Sequence, residues 1–138
     1  MTARLAAGLL AMAWVAAAAQ SRTTSDGVYT DAQAIRGLAL YGQHCASCHG
    51  HDLQGHDDAE VPPLVNEEFE AQWAGEPVSA LYRKVSVTMP ARAPGTLQPR
   101  EAVDIVAYLL QANHARAGRV ELPPDMESLA RVVIAKRE

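Results

Sequence analysis

The only two cysteines of the chain, Cys45 and Cys48, stand in the run Cys45-Ala46-Ser47-Cys48-His49. On a helical turn, residues at i, i+3 and i+4 share one face. Two sulfurs so placed can reach the two vinyl groups along one porphyrin edge while the histidine points at the iron, the C-x-x-C-H pattern of covalent haem attachment. A redox disulfide between the same thiols would want a strand before the motif and a βαβ frame, whereas a helical pattern precedes it here. A structural zinc site would want four protein ligands, and no second cysteine pair exists to complete one. The motif predicts one haem c, bound through Cys45 and Cys48, with His49 on the iron.

The residue on the other side of that iron decides between electron transfer and ligand chemistry. Of the four methionines, Met1 and Met12 lie in the apolar leader and Met126 lies beyond Pro123-Pro124. Met89 is followed at once by Pro90, with Pro94 and Gly95 close behind, a stiffened loop long enough to cover a haem face. Met89 is therefore the expected sixth ligand; the plainer reading is a core methionine filling a gap. His44, His51 and His56 are rival ligands, but they lie too near His49 in sequence to reach the opposite face easily. His114, beside Asn113 and Ala115, reads as a solvated or C-capping residue.

Elements must hold these groups in place. Thr30 with Gln33 fits a capping box, and Ile35, Leu38, Ala39 and Tyr41 fall at helical spacing, predicting a helix from Thr30 to Tyr41 that leads into the motif. Gly37 and Tyr41 share a face, and a glycine within a helix suggests close approach of another helix. A second helix is expected from about Pro99 to Asn113, with Pro99 at its first position, Glu101 in its first turn, and Val103, Val106, Ala107 and Leu110 inward. A third, from about Val78 to Val85, would precede the methionine loop, with Leu81, Tyr82 and Val85 inward. Between the motif and that helix the chain is rich in Pro, Gly and acid, with no convincing strand. The fold class is all-α.

With one Phe, two Trp and four Tyr, the chain suits one small domain. Residues 1–19 carry one charge, Arg4, then an apolar run ending in Ala17-Ala18-Ala19, the layout of a cleaved signal peptide. An uncleaved anchor is the competing reading, but the run is about 15 residues against the roughly 20 a membrane span needs. No later segment is apolar enough to span, so the mature chain is expected outside the cytoplasm, in the periplasm or secreted, with no membrane span. A net charge of −4 excludes nucleic-acid binding by charge. The stretch from Gly37 to Tyr82 holds eight acidic residues and no Lys or Arg; Arg83, Lys84, Arg92 and Arg100 follow. That asymmetry reads either as a solvated acidic loop or as orientation toward a partner.

Taken together, the first helix, the C-x-x-C-H motif, a Pro-Leu element, a distal Met-Pro and a last helix with Tyr-Leu resemble the class I cytochrome c family over roughly Gln33 to Asn113. The resemblance implies three or more helices wrapped around one covalent haem, with Gly37 and Tyr41 against Tyr108. It also implies that the carbonyl of Pro62 or Pro63 accepts the His49 Nδ1 hydrogen, that Leu64 packs on the haem, and that Trp73 lines its edge or donates to a propionate; a plain core Trp73 is the alternative. Pro63, Leu64 and Trp73 thus join Cys45, Cys48, His49 and Met89 as expected cofactor contacts. Gln98 stands where the family has a Ser or Thr cap, and residues 118–138 extend past the domain of residues 20–117, to pack on it or on a partner.

The resemblance implies a one-electron carrier rather than an enzyme, with a redox donor and an acceptor docking weakly at the haem edge. The methionine loop and the tail, Leu122-Pro123-Pro124-Asp125 and Leu129 to Ile134, are similar to cytochrome c subunits that accept electrons from quinoprotein dehydrogenases. A thioether ligand and burial favour the ferrous form, so a comparatively high potential is expected. The alternative is a haem-based gas sensor or peroxidase-like enzyme with a displaceable sixth ligand.

Overall fold

The structure, a computed structural model, describes residues 22–56 and 61–137. The expected signal peptide, residues 1–19, lies outside the described residues. The order is β1 (Arg22–Thr23), a short 3-10 turn, α1 (Asp31–His44), α2 (Ala46–His49), α3 (Asn66–Trp73), α4 (Val78–Arg83), a π-helical turn (Lys84–Thr88), α5 (Pro99–Ala112), α6 (Met126–Ala130) and β2 (Val132–Val133). The fold is all-α, its two-residue strands being the only strands among the described residues.

Thr30 starts α1: its backbone is extended and its Oγ1 accepts the Gln33 N–H at 3.1 Å, which satisfies one of the orphan donors of the first turn. The capping box is only half formed. The Gln33 side chain is buried and serves the tail instead, donating to the Leu122 carbonyl at 3.0 Å and accepting its N–H at 2.9 Å. The inward face of α1 is Gln33, Ala34, Gly37 and Tyr41. Ile35 and Leu38, expected to help set the apolar stripe, are 64% and 50% exposed.

The central element is α5, buried at every position from Ala102 to Leu110, Asp104 included. It packs mainly on α1. A Cβ at Gly37 would overlap the Asp104 carbonyl and crowd the Tyr108 Cβ, so this glycine permits the crossing. The Tyr41 and Tyr108 rings meet at 5.3 Å between centroids and 55°, within the tilted geometry aromatic pairs prefer. At the start of α5, the Gln98 N–H donates to Glu101 Oε2 at 2.8 Å, so the Glu101 side chain ties down the helix start where the family's Ser or Thr is replaced by Gln98.

Two local outcomes differ from the sequence pattern. The acid-rich stretch contains α3, its only fully buried residue Phe69 and its first turn bearing Glu67 and Glu68, where carboxylates favour the helix N-terminus. The helix expected to end near Val85 stops at Arg83 and continues as the π turn to Thr88, whose Oγ1 donates to the Lys84 carbonyl at 2.7 Å. Leu122, Leu129, Val132 and Ile134 of the tail are buried within this domain. Asp125 caps α6, which packs on α4. Strand β2 pairs parallel with β1, and Ile134 exchanges hydrogen bonds with Gly75 and Glu76 at 2.9 Å. The apolar side of the tail is thus spent inside the domain. No helix among the described residues is long and apolar enough to cross a membrane.

Candidate haem site

The site begins where α1 runs straight into α2. The Cys45 N–H closes the last turn of α1 on the Tyr41 carbonyl at 2.9 Å, and the Cys45 carbonyl accepts from Cys48 at 3.1 Å and from His49 at 2.9 Å. That single turn puts residues 45, 48 and 49 on one face. Ala46 points into the core, Ser47 outward, and Cys45, Cys48 and His49 are half-buried between them. Cys45 and Cys48 are not joined in a disulfide. Burial, with a smaller contribution from Cys48, pushes the Cys45 thiol up to about 11.

After His49 the chain folds back on itself. Gly50 and Gly55 have φ of +76° and +70°, and a Cβ at Gly55 would overlap the Val61 carbonyl. The Gly55 N–H donates to the His49 carbonyl at 2.9 Å and the Leu64 N–H to the Leu53 carbonyl at 2.8 Å, closing a loop that carries Pro62 over the imidazole. His49 Nδ1 is buried without an aligned hydrogen bond, and its neighbour is the Pro62 carbonyl rather than that of Pro63. Burial holds the ring below the usual histidine range; the Pro62 carbonyl opposes this and His56 adds to it.

These residues fit a haem. An imidazole bound to iron through Nε2 is neutral and keeps its proton on Nδ1, which then needs an acceptor. A buried, otherwise orphaned Nδ1 against a backbone carbonyl is that arrangement. Among the described residues no three of His, Cys, Asp and Glu converge as a metal cluster, so this donor set suits an iron whose equatorial ligands come from a porphyrin. The two thiols would hold that porphyrin and His49 would take one axial position.

Pro63 and Leu64 are half-buried on the closed loop, and Trp73 is half-buried at the end of α3. Met89, also half-buried, ends the π turn and enters a cis bond to Pro90. Cys45, Cys48, His49 and Pro62 are thus gathered into one turn and loop, while Met89 comes from a separate element packed on α5. His51 and His56 are exposed, His44 is half-buried, and His114 is exposed with φ +66° just past α5. Arg83, Lys84 and Arg92 are exposed around the methionine loop.

Two supporting hydrogen-bonding roles, those of Tyr41 and Asn113, escaped the sequence pattern. Tyr41 donates its hydroxyl hydrogen to the Gly50 carbonyl at 2.6 Å. Asn113 donates through Nδ2 to the Leu64 and Leu109 carbonyls, both at 2.9 Å, and accepts the Asn66 N–H at 3.1 Å. An Asn at a helix end reads as a cap; nothing in its local sequence says that it reaches residue 64.

Residues 32–109 match the family described as cytochrome C oxidase, cbb3-type, subunit III. No curated protein matches the chain. Among solved structures it is similar to the sulfane dehydrogenase SoxCD from Paracoccus pantotrophus, at 23% identity over 94% of this chain and 68% of that one, with a TM-score of 0.47. The family match spans more than half of the sequence and includes the motif, both long helices and Met89. The chain belongs to the class I cytochrome c family and is an electron-transfer protein whose haem c is attached through Cys45 and Cys48.

Proposed function

We propose that this protein is an exported one-electron carrier with His49 and Met89 as the axial ligands of its iron, taking electrons from a dehydrogenase of the quinoprotein type and passing them to a terminal acceptor. Haem c, when bound, supplies an iron that changes by one electron between ferric and ferrous. The observation that carries the reading is the single turn joining Cys45, Cys48 and His49, with His49 Nδ1 buried against the Pro62 carbonyl.

Each residue has a separate task. The two cysteines fix the porphyrin edge, and the rigid loop over His49 sets its orientation and basicity. Met89 would complete the coordination, so that the oxidation state could change without ligand exchange, and its sulfur would favour the ferrous state. Export, to the periplasm or by secretion, is supported by the leader layout of residues 1–19. Docking at the haem edge need only be weak, and the exposed cations Arg83, Lys84 and Arg92 against the acidic exposed Glu67, Glu68 and Glu76 would orient a charged partner. The dehydrogenase donor rests on the resemblance of the methionine loop and tail.

The test is an optical spectrum of the purified holoprotein, oxidised and reduced, with and without carbon monoxide. A low-spin spectrum with the far-red sulfur-to-iron(III) band, lost in Met89→Ala, and no response to carbon monoxide in the wild type is the expected result. A high-spin spectrum that shifts readily with carbon monoxide would overturn the assignment and favour a sensor or peroxidase. Stopped-flow reduction by a quinoprotein dehydrogenase, faster at low salt than at high, tests the donor.

A further inference from the structure

We infer that Asn113 is a positioning residue for the haem histidine: its carboxamide anchors the Pro62–Asn66 strap and so sets how well the Pro62 carbonyl accepts from His49 Nδ1. The inference deepens the reading above and rests on His49 being an iron ligand.

Asn113 is the C-cap of α5. Its side chain uses three hydrogen bonds, two of them to residues 47 and 49 positions away in sequence. One secures the Leu64 carbonyl and another the Asn66 N–H, so both ends of a three-residue segment hang from one planar group. Asn66 has φ +64°, a left-handed conformation uncommon outside glycine, and the hydrogen bond from its N–H holds that turn. The opposite edge of Leu64 is fixed as well, through its N–H on the Leu53 carbonyl. Pro62 lies two residues upstream of this doubly anchored position, and its proline ring and that of Pro63 leave little backbone freedom between.

The Pro62 carbonyl is the groups' point of contact with the imidazole. A backbone acceptor on Nδ1 raises the electron donation of a metal-bound histidine and stabilises the ferric state. From the motif side its position is held by Gly55, whose N–H donates to the His49 carbonyl and whose backbone packs closely on Val61 and Pro62. From the other side it is held from α5, through Asn113. The third hydrogen bond, to the Leu109 carbonyl, is an ordinary helix-end contact and fixes the rotamer of the carboxamide that does the anchoring.

The experiment compares holoprotein variants Asn113→Ala and Asn113→Asp with wild type. Asp keeps an acceptor for Asn66 but cannot donate to Leu64, so it remains informative if Ala fails to fold. Gln33→Ala, which removes a buried pair of hydrogen bonds to Leu122 that do not involve the strap, is the control for general loosening. Proton NMR of the ferrous proteins reads exchange of the His49 Nδ1 hydrogen, and electrochemistry reads the potential. Exchange about tenfold faster in the Asn113 variants, the factor expected for losing roughly one hydrogen bond, with a raised potential and no such change in Gln33→Ala, is the expected result. Wild-type exchange and potential in folded Asn113 variants, or equal changes in Gln33→Ala, would overturn the proposal and leave Asn113 a helix cap. A wild type without haem-shifted His49 signals would instead defeat the ligand reading beneath it.

Discussion

The hydroxyl of Tyr41 donates to the Gly50 carbonyl at 2.6 Å while its ring lies 5.3 Å from that of Tyr108. One side chain therefore ties the helix crossing to the residue that follows His49. Tyr41→Phe keeps the ring pair and strips the hydroxyl, leaving a carbonyl without its donor. The expected cost is about 1 kcal/mol. Tyr41→Ala removes the ring too and should cost about 4 kcal/mol. Denaturant unfolding of both holoproteins checks the gap; equal losses would mean that the hydroxyl, not the ring, carries the contact.

Gly37 sits where the two long helices touch. A side chain there would meet the Asp104 carbonyl, a backbone atom in the buried stretch of α5 that cannot step aside. Gly37→Val should destabilise the protein by about 3 kcal/mol, at the upper end of overpacking penalties. Leu38→Ala, next in sequence but 50% exposed, should stay within about 0.5 kcal/mol of wild type. Thermal melts followed by circular dichroism separate the two.

The contrast between Gly37 and Leu38 also marks what sequence could reveal. The motif and the two long helices were legible because each rests on local spacing, while the Gly37 and Tyr41 contact with Tyr108 and the Pro-Leu element came only from the resemblance to the cytochrome c family. The inward face of α1 was misjudged because hydropathy favoured Ile35 and Leu38, while the buried polar Gln33 is satisfied by Leu122, a partner 89 residues away. Helix α3 was hidden because Glu67, Glu68 and Glu70 surround its one buried residue, Phe69. The anchoring of the histidine loop by Asn113 was invisible for the same reason as Gln33: its partners are distant in sequence.

Arg36 bridges α1 to α5 and the tail. Its guanidinium donates to both oxygens of Asp104, at 2.8 and 3.1 Å, and to Glu121 at 2.9 Å. Asp104 is 3% exposed, so removing Arg36 strands a buried carboxylate, whereas Asp104→Asn leaves a neutral group able to bond. Breaking a fully buried pair costs several kcal/mol. Because the Arg36 side chain is partly solvated, Arg36→Ala should cost about 2 kcal/mol and Asp104→Asn about half of that. Urea unfolding of the single and double variants tests the coupling; strictly additive losses would show that the two residues act independently.

Tyr29 supplies a pH dependence whose sign follows from its surroundings. The side chain is buried, its hydroxyl donates to the Ala115 carbonyl at 2.6 Å, and burial, with the nearby charge of Asp31, pushes the phenol up to about 12 from an ordinary value of 10.0. A raised folded value means that the folded chain holds this proton more tightly than the unfolded chain. The contribution is complete below pH 10 and disappears as pH climbs through about 12, amounting to about 2 kcal/mol. Tyr29→Phe has no proton to lose there. It should start about 1 kcal/mol less stable at pH 8, through the lost hydrogen bond, and fall less steeply between pH 10 and 12, where Tyr41, Tyr82 and Tyr108, also raised by burial, still contribute. Unfolding free energies measured at intervals across that range decide the matter: parallel curves for wild type and variant would remove Tyr29 from the alkaline transition.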